Sequence, residues 1–522
     1  MALLVEKLKK IYYSRWFLLV LIFIGIALRL YQYLINHTLW LDEAFIAINI
    51  IRSNYSELLS PLKYYNQAAP VIFLLVTKFI TKVWGISEYA LRFLPLLTGI
   101  GSMVASYFLG KKFLDKKSIP VFLTLIAFSR YGIYYSAELK QYLLEMFATI
   151  FILILASKIY ESEYKLKFCL AAGFAGGFLI FCSYTSAFIL AGVGIALFLS
   201  LIIRKREINN NIIFKKNILY LIISGAIWLV SFIFNYFIFV KKSATPVFYQ
   251  YWKGLYSFPP FPLKTSSDFL WYPKTFLNLI KDPLGFTFHI SNINSIPYFI
   301  IVIQYAVVIL MIIFGTYHII KNKKWFNLMV IYLPILVIFI VSLLGIYPLY
   351  GRLELFIIPI CYLLISEGSA EAISIFKRGW KTIGIVLISI LIAFPIFYAV
   401  NNIINSQIRH ETKPVMEYYI KNRQPEDKVY IYPSASEEPV YTYYTEYYFE
   451  NLNDRIFIKT DFNKNKEEYY GELLEKTEKS RTWIIFPFNT EEEKEIINFL
   501  SDNGNKVLEN NATSAIYLFS FK

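Results

Sequence analysis

Apolar runs close to twenty residues long recur through the first 400 positions, and no other feature constrains the fold as strongly. Segments of that length satisfy their backbone in hydrocarbon as helices, so each reads as a membrane span. The runs fall at 16–34, 89–110, 118–134, 141–158, 168–183, 185–203, 217–240, 297–317, 326–346, 353–366 and 382–400. They predict a polytopic α-helical membrane protein with about eleven transmembrane helices. Composition points the same way: 57% of the 522 residues are hydrophobic, 19% aromatic and 17% charged. That is too apolar for a soluble domain of this length.

The net charge of +15 does not imply nucleic acid, because the Lys and Arg gather at the ends of apolar runs. Lys7, Lys9, Lys10 and Arg15 precede the first run, and no small-residue cleavage site follows it. It is expected as an uncleaved helix in the cytoplasmic (inner) membrane, with the N-terminus in the cytoplasm. Later clusters are Lys111, Lys112, Lys116 and Lys117; Lys158, Lys165 and Lys167; and Arg204, Lys205 and Arg206. Lys321, Lys323 and Lys324, then Lys377, Arg378 and Lys381, complete a pattern at every second turn. The positive-inside rule then puts residues 35–87 and 241–296 outside.

Within the first of these loops, AFIAINIIRSNYSELL and PVIFLLVTKFITKVWG are short or amphipathic, and Lys78 and Lys82 interrupt the second. Both are expected as interfacial helices. The core of the second loop, YQYWKGLYSFPPFPLKTSSDFLWYP, is dense in aromatic rings. Such rings suit either a bilayer surface or the faces of a sugar. After residue 400 the chain turns polar, and helical patterns alternate with the strand-like runs KVYIYP, RIFIKT, RTWIIFP and AIYLFSF. Residues 1–400 thus read as the transmembrane domain and 401–522 as a small α/β domain, outside because the spans are odd in number.

Charges at the hydrocarbon boundary are costly, so each is a functional candidate. Asp42 and Glu43 stand in HTLWLDEAFIA, just after the first run. A carboxylate there can serve as general base, and two can hold Mg²⁺ or Mn²⁺ through oxygen. A helix N-terminus also favours such a pair. In YYSAELKQYLLE, Glu138, Gln141, Tyr142 and Glu145 share one helical face and Lys140 is the nearest cation. A capped helix end with an interfacial Tyr explains that pattern as well. Arg352 and Glu354 begin a third polar element, YPLYGRLELFIIP. Arg352 can grip a lipid phosphate with its planar fork, or equally snorkel or pair with a carboxylate. Arg29 and Arg92 are expected to snorkel or pair with carboxylates.

His37, His289, His318 and His410 have no recognisable metal-ligand spacing. Cys169, Cys182 and Cys361 lie inside apolar runs and are expected as buried thiols without disulfides. No Walker A sequence or glycine-rich dinucleotide loop occurs, which argues against ATP-driven transport and nucleotide cofactors.

LWLDEAF, the stretch YYNQAAPVIFLLVTKFITKVWGISEYALRFLPLLTGIGSMVASYFLG and YSAELKQYLLE together resemble the membrane glycosyltransferases of the GT-C class. The nearest branch is the bacterial relatives of the dolichyl-phosphate-mannose–protein mannosyltransferases, among them the aminoarabinose lipid A transferases. The resemblance covers residues 10–160 and extends more weakly to 360. It implies a GT-C-like fold and a glycosyltransferase using a polyprenyl-phosphate sugar donor at the outer membrane face. The acceptor hydroxyl would belong to a lipid, glycan or protein. Asp42 matches the family's catalytic acid residue and Glu43 its neighbour; Glu138, Lys140 and Tyr142 match the second external motif. Arg is common where this chain has Lys140, and a Pro pair is reduced here to Ala69–Pro70. The implied reaction is a single inverting displacement with Asp42 as base, and Lys140 and Arg352 steadying the phosphate. It needs no nucleotide and does not require a metal. A lipid-linked oligosaccharide transporter, or a polysaccharide polymerase or ligase, is the alternative; a transporter would be expected to show repeated halves, which this sequence lacks. A non-catalytic scaffold displaying residues 401–522 would leave the outer-face carboxylates unexplained.

Overall fold

The computed structural model describes residues 12, 14–205, 211–243, 246–287, 298–375, 381–404, 412–432, 438–448, 455–486, 491–511 and 515–521. Helix α1 (Arg15–Ile35) starts where the Ser14 hydroxyl accepts from the Phe17 N–H. Two short helices follow, α2 (Leu41–Arg52) and α3 (Val71–Trp84). At 12 and 14 residues they are too short to span a bilayer, as expected for the first loop. Then come α4 (Glu88–Phe113), α5 (Ile119–Ala127), α6 (Tyr142–Glu161), α7 (Leu166–Cys182), α8 (Ser186–Arg204) and α9 (Asn211–Asn235). After a short helix at Pro246–Gly254, the longer helices before the C-terminal region are α10 (Ser266–Lys281), α11 (Tyr298–Lys321), α12 (Trp325–Leu343), α13 (Ile358–Ile375) and α14 (Lys381–Ile404).

Among the described residues, nine helical segments are long and apolar enough to cross a membrane. They are α1, α4, α6, α8, α9 with its extension to Ser243, α11, α12, α13 with the tight turns from Gly351, and α14. The chain is an integral membrane protein. Two of the expected spans are not among these nine. One is α7, with 17 residues. The other, 118–134, breaks after α5, where Ser129 caps a new turn by accepting from the Gly132 N–H. The break leaves α5 carbonyls without helical partners. Arg29 of α1, fully buried, supplies them: Nη2 donates to the Ile126 carbonyl at 3.0 Å and Nη1 to the Ala127 carbonyl at 3.5 Å.

Two helices sit at the centre of the bundle. The membrane-crossing stretch of α13 is 89% buried and that of α6 72%, against 22% for α9. Helices α11 and α13 meet backbone to backbone: a Cβ at Gly315 would collide with the Leu364 carbonyl, and one at Gly368 with that of Met311. Small residues at such a crossing replace the missing hydrophobic drive between helices in lipid with close packing. This contact fixes α13, and with it the turns from Gly351 that carry Arg352.

The C-terminal region builds a five-stranded mixed sheet. Its strands are β1 (Lys428–Ile431), β2 (Arg455–Ile456), β3 (Arg481–Phe486), β4 (Asn505–Asn511) and β5 (Ala515–Ser520), in the order β2-β1-β3-β5-β4. Strand β1 runs parallel to β2 and β3, while β5 is antiparallel to β3 and β4. Helices α15 (Thr412–Asn422), α16 (Glu438–Tyr443), α17 (Lys466–Thr477) and α18 (Glu491–Asn503) complete the region. Helix α16 divides its residues between two cores: Tyr441 packs with the sheet residues Val429, Ile431 and Trp483. Val440 and Tyr443, with Tyr444 just beyond, are fully buried in the core of the helical bundle.

A candidate active site at one end of the bundle

Three chain segments converge at the end of the bundle where α2, α4 and α6 begin. The first is the loop His37–Trp40 with the start of α2. Trp40 is the N-cap residue of α2, and Glu43 turns back to accept from its backbone N–H at 3.3 Å. Glu43 is fully buried and tied further: Arg92 Nε lies 2.8 Å from Oε1 and Nη2 2.5 Å from Oε2, a two-pronged pair. The Leu139 N–H donates to Oε1 at 2.7 Å. Arg92 also bonds the His37 carbonyl at 2.5 Å and the Thr38 carbonyl at 3.3 Å. One ion pair thus joins the first loop, α4 and the turn before α6.

The second segment is that turn. Glu138 accepts from the Trp40 indole N–H at 2.5 Å. Lys140 is 6% exposed, and its Nζ stands 3.5 Å from Gln67 Oε1. Burial pushes the Lys140 ammonium down to about 8, against the pull of Asp42. Tyr142 opens α6 and packs edge-on against Tyr135, ring centroids 5.0 Å apart. The third segment is the entry to α13. Arg352 Nη1 lies 2.5 Å from Asp42 Oδ2, with the guanidinium 5.7 Å above the Trp40 ring.

These segments enclose a cavity of about 610 Å³. Asp42, Lys140, Tyr142 and Arg352 line it; Glu43 and Glu138 do not. Glu43, expected as catalytic beside Asp42, has its oxygens committed to Arg92, to the Trp40 N–H and to the Leu139 N–H. Glu138 likewise anchors the Trp40 ring beneath Arg352. Glu145, Tyr184 and Tyr347 also face the cavity. Glu145 shares a helical face with Tyr142, which is the one sequence signal for it; Tyr184 and Tyr347 carry none. The aromatic loop contributes Tyr251 and Trp252 to the wall. His289 and His410 lie outside the described residues.

An apolar groove of about 730 Å³ runs beside the cavity between α8, α9 and α12, lined by Ala191, Phe198, Trp228 and Val341 among others. Ile346 lines both spaces.

The Asp42–Glu43 pair does not fit a divalent ion. Asp42 faces Arg352, Glu43 faces Arg92, and Lys140 adds a further positive group, so the site already carries its cations. Burial and the Arg92 charge hold His37 below the ordinary histidine range. Among the described residues, the group with metal-ligand spacing is Asp115, His318 and Glu367, whose donor atoms lie within 4.8 Å of one another. It sits past the other end of α4, and Lys324 already bridges it, 2.8 Å from Asp115 and 2.7 Å from Glu367.

No protein-family model and no curated protein sequence matches the chain. Solved structures do. ArnT from Cupriavidus metallidurans, bound to undecaprenyl phosphate, is similar with a TM-score of 0.51 at 9% identity, over 96% of this chain and 97% of that one. The oligosaccharyltransferase of Archaeoglobus fulgidus, tethered to an acceptor peptide, is similar with a TM-score of 0.46 at 11% identity, over 91% of this chain and 69% of that one. The chain has a polytopic GT-C-like fold, a helical membrane bundle carrying a small C-terminal sheet domain, and is alike to ArnT over nearly the full length of both chains.

Proposed function

We propose that the chain is a membrane glycosyltransferase. It moves a sugar from a polyprenyl-phosphate donor to an acceptor hydroxyl on the outer face of the cytoplasmic membrane. The carrying observation is Asp42 facing two cations, Arg352 and Lys140, in a cavity that adjoins an apolar groove. An acidic base, a phosphate clamp and a lipid path are what this transfer needs. ArnT, whose fold is similar, is described bound to undecaprenyl phosphate.

In this reading the isoprenoid tail lies along the groove and the phosphate enters between Lys140 and Arg352. Arg352 turns from Asp42 to the phosphate, which frees Oδ2. Asp42 takes the proton of the acceptor hydroxyl as its oxygen bonds the anomeric carbon. The bond from that carbon to the phosphate oxygen breaks, and its electron pair leaves on the lipid phosphate. Attack from the opposite face inverts the centre. Lys140 and Arg352 stabilise the negative charge that grows on the phosphate. Glu43, Arg92 and Glu138 keep the loop in register and take no part in bond making. No step passes through a metal. Trp252 and Tyr251 offer faces for the sugar or acceptor.

The basic clusters support this orientation. Lys111, Lys112, Lys321 and Lys324 lie at the end of the bundle opposite Asp42, since α4 runs from Arg92 at one end to Lys112 at the other. With that end cytoplasmic, the cavity opens outside, where lipid-linked donors are used.

The test is radiolabelled sugar on polyprenyl-phosphate carriers, given in excess EDTA to membranes containing the chain. Label moving to an acceptor supports the proposal. No transfer from any donor, with lipid-linked glycan accumulating in cells that lack the chain, turns the reading to a transporter or polymerase.

A further inference from the structure

Glu145 has no part in the reaction just described, yet it is the second carboxylate facing the cavity. It stands in the first turn of α6, one helical turn after Tyr142, and is only 3% exposed. Among the described residues, no hydrogen bond or ion pair ends on its carboxylate; the Thr149 hydroxyl takes only its backbone carbonyl, at 3.2 Å. A carboxylate buried without a partner is costly, and a merely structural position would favour an apolar residue of similar size.

The surrounding groups do not relieve it. Tyr184 and Tyr347 line the same wall and lie close enough to feel its charge. Each phenol has a single proton to donate, and both are committed elsewhere. Tyr184 donates to the Ala69 carbonyl at 2.7 Å, and Tyr347 to the Leu353 carbonyl at 2.8 Å. Arg352 is placed on Asp42, and Lys140 approaches Gln67. The donors that would satisfy Glu145 must therefore come from within the cavity. A sugar has such donors in fixed directions, and the Tyr142 ring beside Glu145 offers an apolar face to its carbons.

We propose that Glu145 is the group that reads the sugar, accepting from a hydroxyl or an ammonium of the sugar carried by the lipid donor. This rests on the glycosyltransferase reading above. Lys140 and Arg352 recognise the phosphate, which all such donors share. Glu145 recognises what distinguishes one donor from another.

The experiment compares the purified full chain in nanodiscs with Glu145→Gln and Glu145→Leu. The probes are undecaprenyl phosphate alone, undecaprenyl phosphate bearing a neutral hexose, and undecaprenyl phosphate bearing an amino sugar. The expected result has three parts. Wild type binds at least one sugar-bearing lipid more tightly than the bare lipid. Glu145→Leu loses about tenfold of that gain, the scale of a charge-assisted hydrogen bond. All three proteins bind undecaprenyl phosphate alike. A gain for the neutral sugar that Glu145→Gln partly keeps assigns a hydroxyl; a gain for the amino sugar that Glu145→Gln loses assigns an ammonium. The inference is overturned if the sugar adds nothing in wild type, if Glu145→Leu keeps the gain, or if the variants weaken bare lipid as much as sugar-bearing lipid. Failure of wild type to bind any of the three lipids overturns the glycosyltransferase reading itself.

Discussion

The Tyr444 hydroxyl accepts a hydrogen bond from the Leu39 N–H at 2.8 Å, three residues before Asp42. The same hydroxyl donates to Glu88 at the start of α4, at 3.1 Å. Nearby, Arg52 at the end of α2 pairs with Glu446 at 2.6 Å and donates to the Tyr447 hydroxyl at 2.7 Å. The polar C-terminal region therefore holds both ends of the helix that presents Asp42. Replacing Tyr444 by Phe keeps the ring in the core and removes both hydrogen bonds, of which the one from the Leu39 N–H is worth about 1 kcal/mol. Amide exchange across residues 37–43 should quicken by about fivefold while the sheet domain keeps its protection. Unchanged exchange at those amides would refute the coupling.

The pair between Glu43 and Arg92 is buried on both sides. Removing one partner strands a charge, at a cost of about 3–5 kcal/mol. Arg92→Leu and Glu43→Leu should each lower the unfolding temperature sharply. The double replacement should recover much of the loss, because neither charge is then left alone. A double variant as unstable as the sum of the two singles would show that the ion pair is not what joins these segments.

The pH profile should carry the mark of Lys140. Its ammonium is held at about 8 by burial, well below the ordinary lysine value of 10.5. Below about pH 8 the cation is present to receive phosphate; above it the site loses that charge. The alkaline limb of kcat/KM should therefore fall near pH 8. In Lys140→Arg, whose guanidinium stays charged, that limb should move upward by more than one pH unit. The stability sign is the reverse. The unfolded chain binds the extra proton between about pH 8 and 10.5, so this group's burial cost is relieved, and stability rises, over that window. An alkaline limb that stays in place in Lys140→Arg would remove Lys140 from phosphate binding.

Much of this arrangement was legible because its signals are local. The lengths of the apolar runs announce the bundle, and Asp42, Lys140, Tyr142 and Arg352 each stand where a polar residue interrupts a hydrophobic segment. Long-range partners were not legible. Glu43 beside Asp42 looks like a second catalytic acid until Arg92, 49 residues on, is seen to occupy it. The run 118–134 is apolar without pause, and its break follows from Arg29, which another helix brings to the α5 carbonyls. Strand β4 was missed because it has only two apolar residues, Val507 and Leu508, at the edge of the sheet. Tyr444 lies in a tyrosine-rich stretch where nothing sets one ring apart from the next.

The most direct measurement is transfer of radiolabelled sugar from a polyprenyl-phosphate donor by wild type and by Asp42→Asn, at equal amounts and with undecaprenyl phosphate binding measured in both. Asn keeps the size of the side chain and loses the base, a change that costs about a hundredfold or more where proton transfer matters. The account predicts that wild type transfers label, and that Asp42→Asn binds the lipid phosphate yet transfers at least about a hundred times more slowly. Wild-type rates in Asp42→Asn, with binding intact, would contradict it.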